Sequence, residues 1–136
     1  MKQVSKIFLL IILTSLFIGC MEKRTDDPIQ TYKLWAGEKP PMEVEVIHGK
    51  YWESPHWSKE YIIYLELKTS LEWKNEFIKQ NHLVQNKTNQ NIPSDAPSWF
   101  KPTESCRIWM PSGFTQGSTY YEDTLSGHIF IYEIQL

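Results

Sequence analysis

Hydrophobic positions along this 136-residue chain follow several different spacings, which divide it into segments. Residues 7–18 are almost continuously apolar, whereas residues 21–41 hold few apolar positions among charged residues and prolines. In residues 42–46 and 60–68 every second position is apolar, the period of two that is typical of strands. Residues 71–78 place their apolar side chains so that they share one side of a helix.

The clearest strand prediction falls on Glu60–Lys68. Its face from Tyr61 to Leu67 is wholly apolar or aromatic, and its other face becomes polar towards the end. A preceding strand is predicted over residues 42–46. The side chains of that strand expected to face the core are Met42, Val44 and Val46.

A helix is predicted over about residues 70–83. Thr69 and Glu72 match a capping box, in which Thr69 is the N-cap and Glu72 follows three residues later. The side of this helix expected to face the core carries Leu71, Trp73, Phe77 and Ile78. Residues 86–97 are rich in Asn, Gln, Ser and Pro, which predicts a loop.

The last third of the chain has the pattern of a β-meander. Its strands are predicted at Arg107–Met110, Thr119–Glu122 and His128–Leu136, with a hairpin turn at Asp123–Gly127. The final strand is apolar on both faces, which favours a central position in the sheet with a helix covering one side. The order of elements predicts a single α+β domain over residues 42–136. We expect one antiparallel sheet of about five strands with one helix packed on one face.

The apolar run near the start has the organisation of a secretory signal. Lys2 and Lys6 precede it, and Gly19 and Cys20 end it before the chain turns polar. The run is short for a membrane-spanning helix, which needs about 20 apolar residues. The quartet Phe17-Ile18-Gly19-Cys20 resembles the lipobox of bacterial lipoproteins.

This resemblance implies that residues 1–19 are a signal peptide and that Cys20 becomes the N-terminus, with lipid on its sulfur and its amine. Residues 20–41 would form a lipidated N-terminus and tether, because most of them cannot bury enough surface to offset their ordering entropy. Tyr32, Leu34 and Trp35 are the exception and can dock onto the domain. The implied location is the cell envelope, with the outer membrane facing the periplasm favoured over the inner membrane or the cell surface.

The charge of the chain limits the classes of partner that it can bind. A formal net charge of −2 with scattered charges gives no electrostatic footprint for nucleic acid. The chain also lacks a Lys/Arg cluster that would bind anionic head groups, so membrane attachment depends on Cys20.

Cys106, the only other cysteine, lies in a predicted strand and is expected to be a buried, reduced thiol. The alternatives are a reactive thiol and a disulfide with an unmodified Cys20.

No residue pattern points to catalysis, a cofactor or a metal. The sequence contains no nucleophile elbow, no glycine-rich phosphate loop and no CxxC motif. Its histidines are widely spaced, whereas zinc ligands normally come in close pairs. We therefore expect a non-catalytic protein without a cofactor or metal. The histidines are His48, His56, His82 and His128, of which His56 is the best candidate for contact with a ligand.

Aromatic residues make up 14% of the chain, and several lie near prolines in predicted loops. Trp99 and Phe100, for example, are framed by Pro97 and Pro102. Rigid rings in loops can anchor a protein interface or stack on a sugar, and the alternative is that they seal the edges of the core. We predict binding at Trp57, Trp99 and Phe100, with a protein partner favoured over a glycan or small ligand.

Together these features predict a lipid-anchored envelope protein with a small, non-catalytic binding domain. One form of this hypothesis is an immunity-type or inhibitor lipoprotein, which neutralises a toxin that reaches the periplasm. The alternative is a structural accessory subunit of an outer-membrane or envelope assembly. An enzyme with an unrecognised site is a third possibility.

The lipid assignment predicts that Cys20→Ser stops cleavage before residue 20 and removes acylation, because the sulfur that carries the lipid is lost. Incorporation of labelled palmitate into the full-length protein measures this directly. Labelling of the variant at the wild-type level would contradict the assignment.

Overall fold

The computed structural model describes residues 21–87, 92–113 and 115–136, so the predicted signal peptide and Cys20 lie outside them. The described residues form an α+β domain with one antiparallel sheet of seven strands and two helices. The helices are α1 (Pro28–Ala36) and α2 (Leu71–Gln80). The strands are β1 (Lys23–Thr25), β2 (Val44–Glu53), β3 (Tyr61–Thr69), β4 (Leu83–Asn86), β5 (Arg107–Pro111), β6 (Thr119–Glu122) and β7 (His128–Gln135).

The sheet has the strand order β1-β2-β3-β7-β6-β5-β4, which confirms the predicted central position of the final strand. β3 and β7 lie side by side, with Tyr61 opposite Gln135 and Lys68 opposite His128. β6 has the predicted bounds, and the turn before β7 holds Gly127 at a φ of 76°. The backbone N–H of Asp123 donates to the carbonyl of His128 over 2.9 Å, which closes this hairpin.

The predicted tether over residues 20–41 differs from the structure, because residues 23–36 form β1 and α1. The Asp27 side chain caps α1 by accepting a hydrogen bond from the backbone N–H of Gln30 at 2.6 Å. Pro28 opens the helix, and Gly37, at a φ of 76°, ends it. Aspartate, proline and glycine are typical start and stop signals of a helix. The folded domain therefore begins near Lys23 and not at residue 42.

The prediction for α2 needs correction at both ends. Ser70 caps the helix by accepting a hydrogen bond from the backbone N–H of Trp73 at 3.1 Å. Thr69 cannot cap it because it is still paired with Val44 in the sheet. After Gln80 the chain turns and enters β4, which sequence reasoning missed because the strand buries only Leu83. We expected about five strands and one helix. The described residues also form β1, β4 and α1, so the domain has a seven-stranded sheet and two helices.

Two hydrophobic clusters cover opposite faces of the sheet. On the helix face, α1 and α2 pack over Ile63, Leu65 and Ile131. On the loop face, residues 92–106 pack over side chains that include Tyr64 and Phe130. Among the described residues, no helix is long and apolar enough to cross a membrane.

Individual core predictions have mixed outcomes. Val44 and Val46 contribute to the core as expected, but Met42 precedes β2 and is fully exposed. Leu71 is 67% exposed, because it lies on the first turn of α2 away from the sheet. Cys106 is buried on the loop face as a free thiol, as predicted.

Gly49 lies where α1 approaches β2 most closely. A Cβ at this position would stand 2.6 Å from the Cβ of Thr31 and 3.0 Å from the Cα of Pro28. A real Cβ atom almost never lies closer than 3.0 Å to another heavy atom. Thr31 is also completely buried and has no room to move aside. The absence of a side chain at residue 49 therefore lets α1 pack on the sheet.

We expect Gly49→Ala to lower the free energy of unfolding by about 1–3 kcal/mol, the usual cost of overpacking, because α1 must shift. Chemical denaturation measures the change. Gly113→Ala is the matched control, since nothing lies within 4 Å of a Cβ built there. Equal stability of the two variants would show that α1 does not pack on β2 as described.

Candidate functional site

A cleft with a volume of about 510 Å³ lies between α1 and α2 on the helix face of the sheet. α1 supplies one wall and α2 the other, although the two helices are separated by more than thirty residues of sequence. β7 contributes the carboxylate of Glu133 to the lining. The lining residues are Tyr32, Trp35, Ala36, Glu38, Trp73, Glu76, Phe77, Gln80, Asn81 and Glu133.

Aromatic rings form a continuous path across this cleft. Tyr32 and Trp35 of α1 meet edge to face with ring centroids 5.5 Å apart. Trp35 then contacts Phe77 of α2 at 5.7 Å, and Phe77 stacks on Trp73 at 5.2 Å. Rings in such contact hold each other in place, so the aromatic surface is preorganised.

The polar groups of the cleft are mainly carboxylates. Glu133 is half-buried and accepts hydrogen bonds from the hydroxyls of Tyr120 at 2.7 Å and Tyr61 at 3.3 Å. Glu38 and Glu76 are exposed at the rim. No lysine, arginine or histidine is among the described residues that line the cleft, so the formal charge of its lining is negative.

The tyrosines around Glu133 reflect this environment. Burial, together with the negative charge of Glu133, raises the pKa of Tyr61 to about 12. The same two causes raise the pKa of Tyr120 further still. Burial, followed by the charge of Glu38, raises the pKa of Tyr32. These phenols are therefore neutral hydrogen-bond donors at physiological pH.

This combination of rings and carboxylates suits a ligand that carries a positive charge. A cation placed over an aromatic face gains about 0.5–2 kcal/mol, and a nearby carboxylate adds a charge-assisted hydrogen bond.

Within the part of the chain that the structure describes, no group of three His, Cys, Asp or Glu residues is placed to hold a metal ion.

The residues predicted to bind a partner do not form one surface. Trp57 lies in the connection between β2 and β3 and is 98% exposed. Trp99 is half-buried and stacks on His48, with ring centroids 4.9 Å apart. Phe100 is 2% exposed and packs against Tyr64 and other rings of the loop face, so it belongs to the core. Cys20 lies outside the described residues.

Trp99 contacts a polar cluster that crosses three strands on the loop face. Glu66 of β3 is 2.8 Å from Nδ1 of His48 on β2 and 2.8 Å from Nδ1 of His128 on β7. Both carboxylate oxygens of this buried residue are thus satisfied. Because Trp99 covers His48, its stacking helps to hold residues 92–106 on the sheet.

Sequence reasoning missed the cleft because its walls come from distant segments. One signal was available in β7, where Glu133 interrupts the apolar series begun by Ile129 and Ile131 on the core side. A carboxylate on the inward face of a strand needs partners, and Tyr61 and Tyr120 supply them. A second signal was the set of cap residues around α1.

Replacing Glu133 by Gln should lower the pKa of Tyr61 from about 12 towards its ordinary value of 10.0, because the facing charge is lost while burial remains. A tyrosine whose pKa is higher in the folded than in the unfolded protein stabilises the fold at any pH below its ordinary pKa. This stabilisation is lost as the pH rises through the folded-state pKa. Glu133→Gln should therefore lose less stability at alkaline pH. Tyrosinate absorbance against pH measures the shift, with Glu76→Gln as control. An unchanged titration would show that Glu133 does not face these phenols.

Comparison of the chain with protein-family models, with curated proteins and with solved structures finds no significant match.

Proposed function

We propose that this protein is a bacterial envelope lipoprotein, anchored through Cys20, whose domain binds a protein partner and does not catalyse a reaction. The observation that carries the proposal is the cleft between α1 and α2, which combines preorganised rings with three carboxylates. Stoichiometric binding fits this lining, because its rings and carboxylates can recognise the shape and charge of a basic group.

The occupant of the cleft is a basic side chain of the partner, an arginine or a lysine. A guanidinium or ammonium group can lie over Trp35 or Trp73 while it pairs with Glu38 or Glu76 at the rim. Arginine suits the site particularly well, because its planar group stacks on rings and binds carboxylates in a bidentate manner. Interface anchors of this kind contribute a large share of binding free energy.

Two biological settings are compatible with this activity. In the first, the protein is an immunity-type or inhibitor lipoprotein that neutralises a toxin in the periplasm. In the second, it is an accessory subunit of an outer-membrane or envelope assembly. The identity of the captured partner separates them, since a secreted toxin supports the first and a resident envelope protein the second.

The test is affinity capture from detergent-solubilised membranes with the intact lipoprotein, followed by titration of the captured protein. We expect Glu76→Lys to weaken binding about tenfold or more, a change of ~1.4 kcal/mol, because it places a positive charge beside the basic side chain. Glu76 is exposed, so the variant should fold normally.

Glu104→Lys is the matched control, because it makes the same charge change at an exposed position outside the cleft lining. It should bind the partner like the wild type. A partner that binds Glu76→Lys and Glu104→Lys equally well would exclude the cleft as the binding site.

A further inference from the structure

The folded domain begins too close to Cys20 to leave room for a spacer. Lys23, the first residue of β1, is three residues after Cys20. Three residues span at most about 11 Å between Cα atoms, even when fully extended. With lipid on Cys20, as proposed above, the edge of the sheet at β1 must therefore lie next to the bilayer.

The pairing of β1 fixes which end of the sheet this is. Lys23 lies opposite Glu53, the last residue of β2, in an antiparallel register. The chain before Lys23 therefore leaves the sheet at the end where β2 runs into its connection to β3. The C-terminus lies at this end too, because Gln135 is opposite Tyr61.

The connection between β2 and β3 carries Trp57 at this end. The backbone N–H of Ser54 donates to the carbonyl of Glu60 at 2.8 Å, and the N–H of Glu60 donates to the carbonyl of Ser58 at 2.7 Å. These bonds close the connection and leave the indole of Trp57 projecting, 98% exposed. Met21 and Leu136, which are 80% and 63% exposed, are at the same end.

The charges near this end are largely paired. Lys23 lies 2.7 Å from Glu53, and Arg24 lies 2.6 Å from Glu22. Because these carboxylates are matched by neighbouring cations, the end presents little net charge that anionic head groups would repel. The exposed apolar side chains can then approach a membrane at small electrostatic cost.

We propose that Trp57 inserts into the interface of the membrane to which Cys20 is attached, and that it orients the domain there. Tryptophan is enriched at membrane interfaces because its ring is apolar and its indole N–H is polar. The acyl chains provide the attachment, and Trp57 adds a second contact point that limits rotation about the short link. This inference rests on lipidation of Cys20, and it assigns Trp57 to lipid and not to a protein partner.

The test reconstitutes the full-length, processed protein into phosphatidylcholine vesicles whose acyl chains carry bromine near the head groups. Bromine quenches the fluorescence of a nearby indole. The wild type should be quenched, and Trp57→Phe should lose most of that quenching, because Trp57 is almost fully exposed, whereas Trp52, the other tryptophan at this end, is half-buried in β2. Trp99→Phe, which removes a half-buried indole on the loop face, should keep it.

The result also separates this inference from the anchoring on which it rests. Failure of the wild-type protein to carry lipid and to float with vesicles would overturn both. A protein that floats with vesicles but shows equal quenching in the wild type and Trp57→Phe would keep the anchor and overturn the role of Trp57. In that case the exposed indole would be free for a protein partner.

Discussion

Burial of β3 on both faces is the constraint on which the rest of this fold depends. The five consecutive residues from Ile63 to Leu67 are all buried. Successive side chains of a strand point to opposite faces, so such a strand needs a cover on each side. Full burial of an aliphatic side chain is worth about 1.5–3 kcal/mol, which makes both covers indispensable for a domain of this size. Two helices cover one face, and the irregular segment 92–106 covers the other.

Glu66 is the one charged residue in the buried part of β3, and its burial is unfavourable unless its carboxylate is hydrogen-bonded. Its two partners connect β3 to the strands on either side. A buried carboxylate must be hydrogen-bonded, and His48 and His128 satisfy Glu66 from the strands on either side. Trp99 stacks on His48, so the same cluster also holds the loop that covers this face. A segment without regular backbone hydrogen bonds is thereby fixed through side chains. The adjacent contact between the hydroxyl of Tyr64 and Asp95, at 2.9 Å, acts in the same way.

Sequence patterns predicted those elements whose own residues determine them. β3, β6 and β7 have clear apolar periods, and the turn at Gly127 has its own local signal. The missed elements depend on distant partners. β1 is three residues long and exists only because β2 lies beside it, and β4 depends in the same way on β5. The register shift between Val46 and His48, which brings His48 to the loop face, also has no signal in the local pattern. The cleft could not be predicted, because it requires α1 to pack on the sheet.

The position of α1 connects the proposed anchor to the proposed binding site. Along the chain, Cys20 is followed by β1 and then by α1, which supplies Tyr32 and Trp35 to one wall of the cleft. If residues 21–41 were a free tether, this wall would be missing, and Phe77 of α2 would lose its contact with Trp35. A free tether would also let the domain sample many orientations above the bilayer. Packing of this segment instead builds the cleft and, with lipid on Cys20, restricts the directions in which the cleft can face. A partner at the membrane would then meet a site of limited orientation, which lowers the entropic cost of binding.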